Sequence, residues 1–112
     1  MKFRARQRIR RHADFQRVYT EGRRISSLRF TLFCLPNGLP TGRLGVAATK
    51  RLGGAVARNR AKRLIREIFR RNNLVGGLDI VVVPRVELLT TNLVTLDAEY
   101  RTCVTERVLK PR

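Results

Sequence analysis

Tryptophan is absent from this chain of 112 residues, histidine occurs once and cysteine twice. His12 is the lone imidazole, and Cys34 and Cys103 have no Cys or His at ligand spacing, so neither a zinc site nor a disulfide framework is expected. Both thiols read as small buried hydrophobes. Acids are scarce as well: 8 Asp and Glu stand against 25 Lys and Arg. The nearest candidates for a carboxylate pair, Asp97 and Glu99, are two apart, and on a helix they point in different directions, as residues of a solvated face would. Gly53-Gly54 precedes a helical pattern but lacks the Gly-Lys-Ser/Thr ending of a phosphate loop. No catalytic residue, bound cofactor or metal site is therefore assigned to the protein. No apolar run approaches the ~18 residues of a membrane span, and no secretory signal is legible, so a cytoplasmic protein without a membrane partner is expected.

What the chain has is positive charge. Its net charge of +17 far exceeds what solubility requires of a small domain, ~2 to 8, and points to a polyanionic partner. The charge is unevenly spread: residues 73–112 carry five bases and five acids, so the first two thirds face the polyanion and the end of the chain closes the core. The length allows one modest core, hence a single domain over 1–112. Residues 1–11, basic at positions 2, 4, 6, 8, 10 and 11 with almost nothing to bury, read as a flexible arm that orders on a phosphate backbone.

The hydrophobic period supplies the elements. Phe15, Val18 and Tyr19 make a helix of about two turns over 14–20, ended by Gly22. Alternation over 28–35 sends Leu28, Phe30, Leu32 and Cys34 to one face and Arg29, Thr31 and Phe33 to the other. A turn-rich loop follows, then a strand over 43–49, and the two strands are expected to pair as an antiparallel hairpin, with a weakly signalled strand over 23–27 before them. From Ala55 to Asn72 the period is helical: Ala57, Ala61, Leu64, Ile65 and Ile68 share one side, and Asn59, Lys62, Arg63, Arg66 and Arg70 the other. Leu78 to Pro84 is apolar on both faces, as in a buried strand. A last helix from about Asn92 to Val108 aligns Leu93, Leu96, Tyr100, Cys103, Val104 and Val108 and is expected on the remaining face of the sheet. The order is α-β-β-β-α-β-α, an α+β chain folded as an α/β sandwich.

Two surfaces point to RNA. Arg58, Lys62, Arg66 and Arg70 recur every four residues as a ridge that can follow a nucleic-acid backbone, widened by Arg60, Arg63 and Arg71. Between Arg43 and Asn72 only Glu67 is acidic, so neutralisation by neighbouring acids does not explain the ridge. Arginine predominates, and its planar fork suits folded RNA. Phe15 and Tyr19, at i and i+4, would line a cleft with Phe33 for stacking unpaired bases if their helix lies beside the Phe33 face of the sheet.

The continuous stretch from Lys50 to Phe69, centred on Arg58-Asn59-Arg60, resembles the signature of the bacterial ribonuclease P protein component. The likeness extends to Asp14-Phe15-Gln16-Arg17-Val18-Tyr19 with Glu21-Gly22, and to the strands at 29–35, at Gly45-Val46 and at 78–84. It implies a central mixed sheet with a left-handed βαβ crossover, ribosomal protein S5 domain 2-like. It also implies that the ribonuclease P RNA subunit carries catalysis with magnesium, while the protein, with no obligate protein partner, binds that RNA and the 5′ leader of precursor tRNA. By position, Lys50, Arg51, Arg58, Asn59, Arg60, Lys62, Arg63 and Arg66 match the family residues that meet the RNA subunit, and Arg70 extends that ridge. Phe15, Tyr19 and Phe33 match the leader cleft. Departures are Gly54 for a common Asn, Ala47-Ala48-Thr49 for a pattern with Ser, and Phe33 for a frequent Tyr, which loses a phenol but keeps a stacking face.

Other classes fit less well. A ribosomal or other structural RNA-binding protein shares the charge but has no need of aromatics on a polar strand face. A DNA-binding regulator would put a partner helix before its recognition helix, where this chain has a strand and Gly-Gly. A phosphoryl-transfer enzyme requires acids or a metal site that the sequence lacks.

Overall fold

The computed structural model describes residues 7–72 and 76–108. Its elements run α1 (His12–Glu21), β1 (Arg23–Ser26), β2 (Phe30–Pro36), β3 (Arg43–Val46), α2 (Ala55–Arg71), β4 (Leu78–Pro84) and α3 (Leu93–Cys103), with short 3-10 turns at Lys50–Leu52 and Val86–Thr90 and a π turn at Val104–Val108. This is the expected α-β-β-β-α-β-α order. The four strands form one mixed sheet in the order β1-β2-β4-β3.

The pairing differs from the hairpin expected of the second and third strands. β4 lies between them, antiparallel to β2 from Phe30 against Pro84 to Pro36 against Leu78, and parallel to β3 from Arg43 against Asp79 to Val46 against Val82. The reason is burial: Ile80, Val81 and Val82 are all buried, and a strand apolar on both faces is accommodated only in the middle of a sheet. The true hairpin is β1 with β2, registered Arg23 against Cys34 and Ser26 against Thr31. β2 also begins later than the alternation suggested, and Leu28 is 60% exposed in the turn before it.

One sheet face carries Ile25, Phe30, Leu32, Cys34, Leu44, Ile80 and Val82, and it is covered by both α2, through Ala61, Ile65, Ile68 and Phe69, and α3, through Leu96, Tyr100 and Cys103. The last helix thus shares the face of α2 instead of taking the other. That other face belongs to α1, whose Val18 packs with Ile9 and Val81, flanked by Phe15, Tyr19, Phe33 and Leu35. Cys34 and Cys103 are buried free thiols in the larger core.

The hand of the β3–α2–β4 crossover follows from these faces. An L-residue on an upward strand with its side chain toward the viewer directs its N–H and C=O to the right. Seen from the α1 side, Ala47 faces the viewer and its N–H donates to the Val82 carbonyl (2.9 Å), so β4 stands to the right of β3 while α2 passes behind. Viewed from the helix, the chain steps left. The crossover is left-handed, against the general preference for the right hand.

Residues 8–9 are more ordered than a free arm. Residues 1–6 lie outside the described residues, but Arg8 bridges Leu44 in parallel and the Ile9 N–H donates to the Leu44 carbonyl (2.9 Å), extending the sheet beyond β3. Alternation along this short edge sends Ile9 into the core under α1, a burial that the basic run had hidden.

Three carboxylates clasp the sandwich. Asp79, fully buried, accepts from Arg43 Nε (2.8 Å) and Nη2 (2.6 Å) and from Asn37 Nδ2 (2.9 Å), with Arg17 of α1 at 3.7 Å. Glu99 of α3 accepts from the Ser27 hydroxyl, the Arg29 N–H (3.0 Å) and Arg29 Nη1 (2.7 Å), fastening the β1–β2 turn to the helix. Asp97 accepts from Asn72 Nδ2 (2.6 Å) and pairs with Arg101 (3.1 Å), tying the end of α2 to α3. Neither acid of that helix is a solvated face residue, as spacing alone had suggested.

Candidate nucleic-acid interface

Around the axis of α2, at about 100° per residue, the apolar stripe is flanked by two different basic edges. Arg58, Lys62 and Arg66 are half-buried on one edge, and among the described residues they form no ion pair. Burial pushes the Arg66 guanidinium below its ordinary range, and the nearby positive charge of Arg8 adds to the effect. This edge of α2 therefore lies near the strand-like segment at residues 8–9, where the positive charges of Arg66 and Arg8, from two parts of the chain, converge.

The opposite edge is partly neutralised. Arg60 Nε contacts the Leu89 carbonyl at 3.4 Å. Glu67 takes both Arg70, through Nε (3.3 Å) and Nη2, and Arg71 (2.7 Å), and these hydrogen bonds hold its carboxyl below the usual range. The four-residue ridge thus reaches Arg66 as a row without acids, and its fourth member, Arg70, is engaged along the helix. Asn59 and Arg63 are exposed on the crest, and Lys50 and Arg51 are exposed on the 3-10 turn leading to α2.

The aromatic residues do come together. Phe15 and Tyr19 share one flank of α1, with ring centroids 6.5 Å apart, and Tyr19 meets Phe33 of β2 edge to face at 5.0 Å and 84°. All three rings are half-buried. Burial raises the Tyr19 phenol above its ordinary range, so the ring remains neutral and able to donate a hydrogen bond. Phe33 has a less polar setting than its neighbours in sequence suggested: Thr31 is itself buried, and Phe33 lies against Val81.

Close approach of α1 to the sheet depends on Gly45. A Cβ there would lie 2.7 Å from the Phe15 ring, so the missing side chain on β3 is the space in which that ring sits. The Arg17–Asp79 contact holds the other flank of α1. Spacing had not singled out either residue; the signal for Asp79 was a lone acid inside an apolar strand, which buries only with a partner.

Beyond the aromatic rings the same sheet face continues into a cleft of about 730 Å³ lined by Thr31, Leu52, Val83, Arg85 and Glu87, with Arg51 at its edge. Arg85 Nη2 donates to the Thr31 hydroxyl (3.1 Å). Among the described residues no group of three His, Cys, Asp or Glu side chains is placed to hold a metal ion, and no helix is long and apolar enough to cross a membrane.

The family model described as Ribonuclease P matches residues 3–107. The ribonuclease P protein component of Thermotoga maritima is 42% identical over 88 residues, covering 77% of this chain and 75% of that protein. That of Staphylococcus epidermidis is 36% identical over 106 residues, covering 92% and 87%. The solved structure of the Staphylococcus aureus RNase P protein superposes with a TM-score of 0.81 at 30% identity, over 93% of this chain and 98% of that one. A match running through both the aromatic helix and the arginine-rich one, joined to the same fold, means that this chain belongs to the ribonuclease P protein family.

Proposed function

We propose that this chain is the protein subunit of a ribonuclease P, which binds the catalytic RNA subunit and holds the 5′ leader of precursor tRNA while the mature 5′ end is cut. The observation that carries the reading is the juxtaposition of two surfaces across one sheet edge. Arg58, Lys62 and Arg66 lie on the α2 side of the segment at residues 8–9, and Phe15, Tyr19 and Phe33 lie on the α1 side. Bases without acids suit a phosphate backbone, and rings with accessible faces suit unpaired bases.

In this division of labour Lys50, Arg51, Asn59, Arg60 and Arg63 widen the contact with the RNA subunit, while Arg70 contributes less because Glu67 already engages it. The protein supplies no group to activate water. Magnesium, held by the RNA, supplies that chemistry, and the protein's part is to lower the electrostatic cost of bringing two polyanions together. The need for it is greatest when magnesium is scarce.

The test is reconstitution. Adding the chain to a bacterial ribonuclease P RNA and a precursor tRNA at low magnesium should stimulate cleavage at the mature 5′ end, and the chain alone should not cleave. Absence of stimulation, or cleavage by RNA-free protein, overturns the proposal.

A further inference from the structure

We propose that the cleft beyond the aromatic row is a base-reading pocket with a preference for guanine, in which the Glu87 carboxylate is the specificity-determining group. The inference rests on the leader-binding reading and adds a base preference to it. Thr31 stands two residues from Phe33 on the same strand face, and Val83 pairs with Thr31 as Val81 pairs with Phe33. The cleft is therefore the next row of one surface, about 7 Å along the strands from the stacked rings, roughly the step between neighbouring nucleotides in an extended strand. Val83 and Leu52 give it an apolar wall, Arg85 and Arg51 give it positive charge, and its volume of about 730 Å³ is in the range of small-ligand pockets.

Two acids, Glu21 and Glu87, have no ion pair among the described residues, and of the two it is Glu87 that lines this cleft. Asp14, Glu67, Asp79, Asp97 and Glu99 each have an arginine within 4.0 Å. Glu87 has no hydrogen bond through its carboxylate and no ion pair among the described residues, although Arg51 and Arg85 line the same cleft. A carboxylate on a phosphate-binding surface weakens every backbone contact near it, and it discriminates only where it meets donors. A carboxylate accepts and never donates. The edge of an unpaired base that best matches its two oxygens is that of guanine, whose N1–H and N2–H lie side by side; adenine and cytosine offer one amine, and uracil flanks its single N–H with two carbonyls.

The experiment uses the reconstituted holoenzyme and a series of precursor tRNAs in which each leader nucleotide is varied in turn among the four bases. One position should favour guanine over uracil by about tenfold in affinity, the scale of one well-made base contact. Glu87→Gln should bring the four bases at that position within about twofold, leaving mature tRNA affinity and the melting temperature unchanged. Guanine preference at no position, or a preference that survives Glu87→Gln, refutes the inference. So does a loss that is equal for all leaders and for mature tRNA, which is what an acid merely supporting the 3-10 turn at 86–90 would give. Phe33→Ala in parallel separates the two levels: if it spares leader affinity, the leader reading itself fails, whereas a leader loss there with no effect of Glu87→Gln refutes only the base preference.

Discussion

Replacing Phe33 by alanine tests the proposed stacking on RNA against packing in the protein, because the ring is only half-buried. Phe33 is half-buried and meets Tyr19 edge to face at 5.0 Å, whereas Phe30, three residues earlier on the opposite face, is 1% exposed in the larger core. A fully buried Phe→Ala costs ~3 to 5 kcal/mol, and an aromatic pair contributes ~0.5 to 1.5 kcal/mol beyond its buried area. Phe33→Ala should therefore lower stability by about 2 kcal/mol, and Phe30→Ala by ~3 to 5 kcal/mol. For RNA the order reverses: without the Phe33 stacking face, binding of leader-bearing precursor tRNA should weaken by ~1 to 3 kcal/mol and that of mature tRNA should stay unaffected. Titrations of the reconstituted enzyme with both tRNAs, with urea melts of the free protein, give the four numbers. Equal weakening for the two tRNAs, or a stability loss matching that of Phe30→Ala, would mean that the ring belongs to the core and not to the leader path.

Three further outcomes follow from the same geometry. Alanine at Arg58, Lys62 and Arg66 should flatten the dependence of log affinity for the RNA subunit on log salt by roughly one unit for each phosphate that is no longer neutralised, while Arg70→Ala, already engaged by Glu67, should change it less; a salt titration showing equal slopes for wild type and the triple variant contradicts this. Asp79→Ala leaves the Arg43 guanidinium and the Asn37 amide without their shared acceptor, and should cost ~3 to 5 kcal/mol in denaturant melts; a loss below about 1 kcal/mol would show that the clasp is replaceable by water. For Glu99, burial pushes the carboxyl up, but hydrogen bonds from Ser27 and Arg29 outweigh it and leave the folded value below the ordinary 4.5. A depressed folded value means that the unfolded chain binds more protons as pH falls below 4.5, so this contribution is present at neutral pH and is lost in acid. Glu99→Gln should flatten that acid limb, and an unchanged profile refutes the assignment.

The legible parts of the fold were those in which a single element declares its own burial. α2 is long and strongly periodic, and Leu78–Pro84 is apolar on both faces, so both could be placed from the sequence. Pairing was less visible because the loop at 36–42 has the composition of a hairpin turn and draws attention to the strands it joins. The contrary signal was present: a strand apolar on both sides needs two neighbours, and inserting it separates β2 from β3. How closely α1 approaches the sheet depends on Gly45, whose meaning appears only when the Phe15 ring lies over it. In the interface, helical spacing brought Phe15 and Tyr19 together correctly, but it could not show that Glu67 turns toward Arg70 and Arg71 instead of the row ending at Arg66. Glu87 carried no sequence signal, since one acid in a neutral third of the chain is unremarked until a cleft surrounds it.

The empty position on Gly45 acts as a ruler. It fixes how far the first helix stands above the strands, and with it the height of two of the three rings over the third, so the aperture of the proposed leader path is set by a residue with no side chain to offer it. A single methyl group at this point would lift the Phe15 end of the helix while the Arg17–Asp79 contact still anchored its other flank, tilting the row of rings instead of removing any of them. Under the proposed leader-binding role, discrimination among leaders would in this way be retuned from beneath, by the sheet, with every ring left in place.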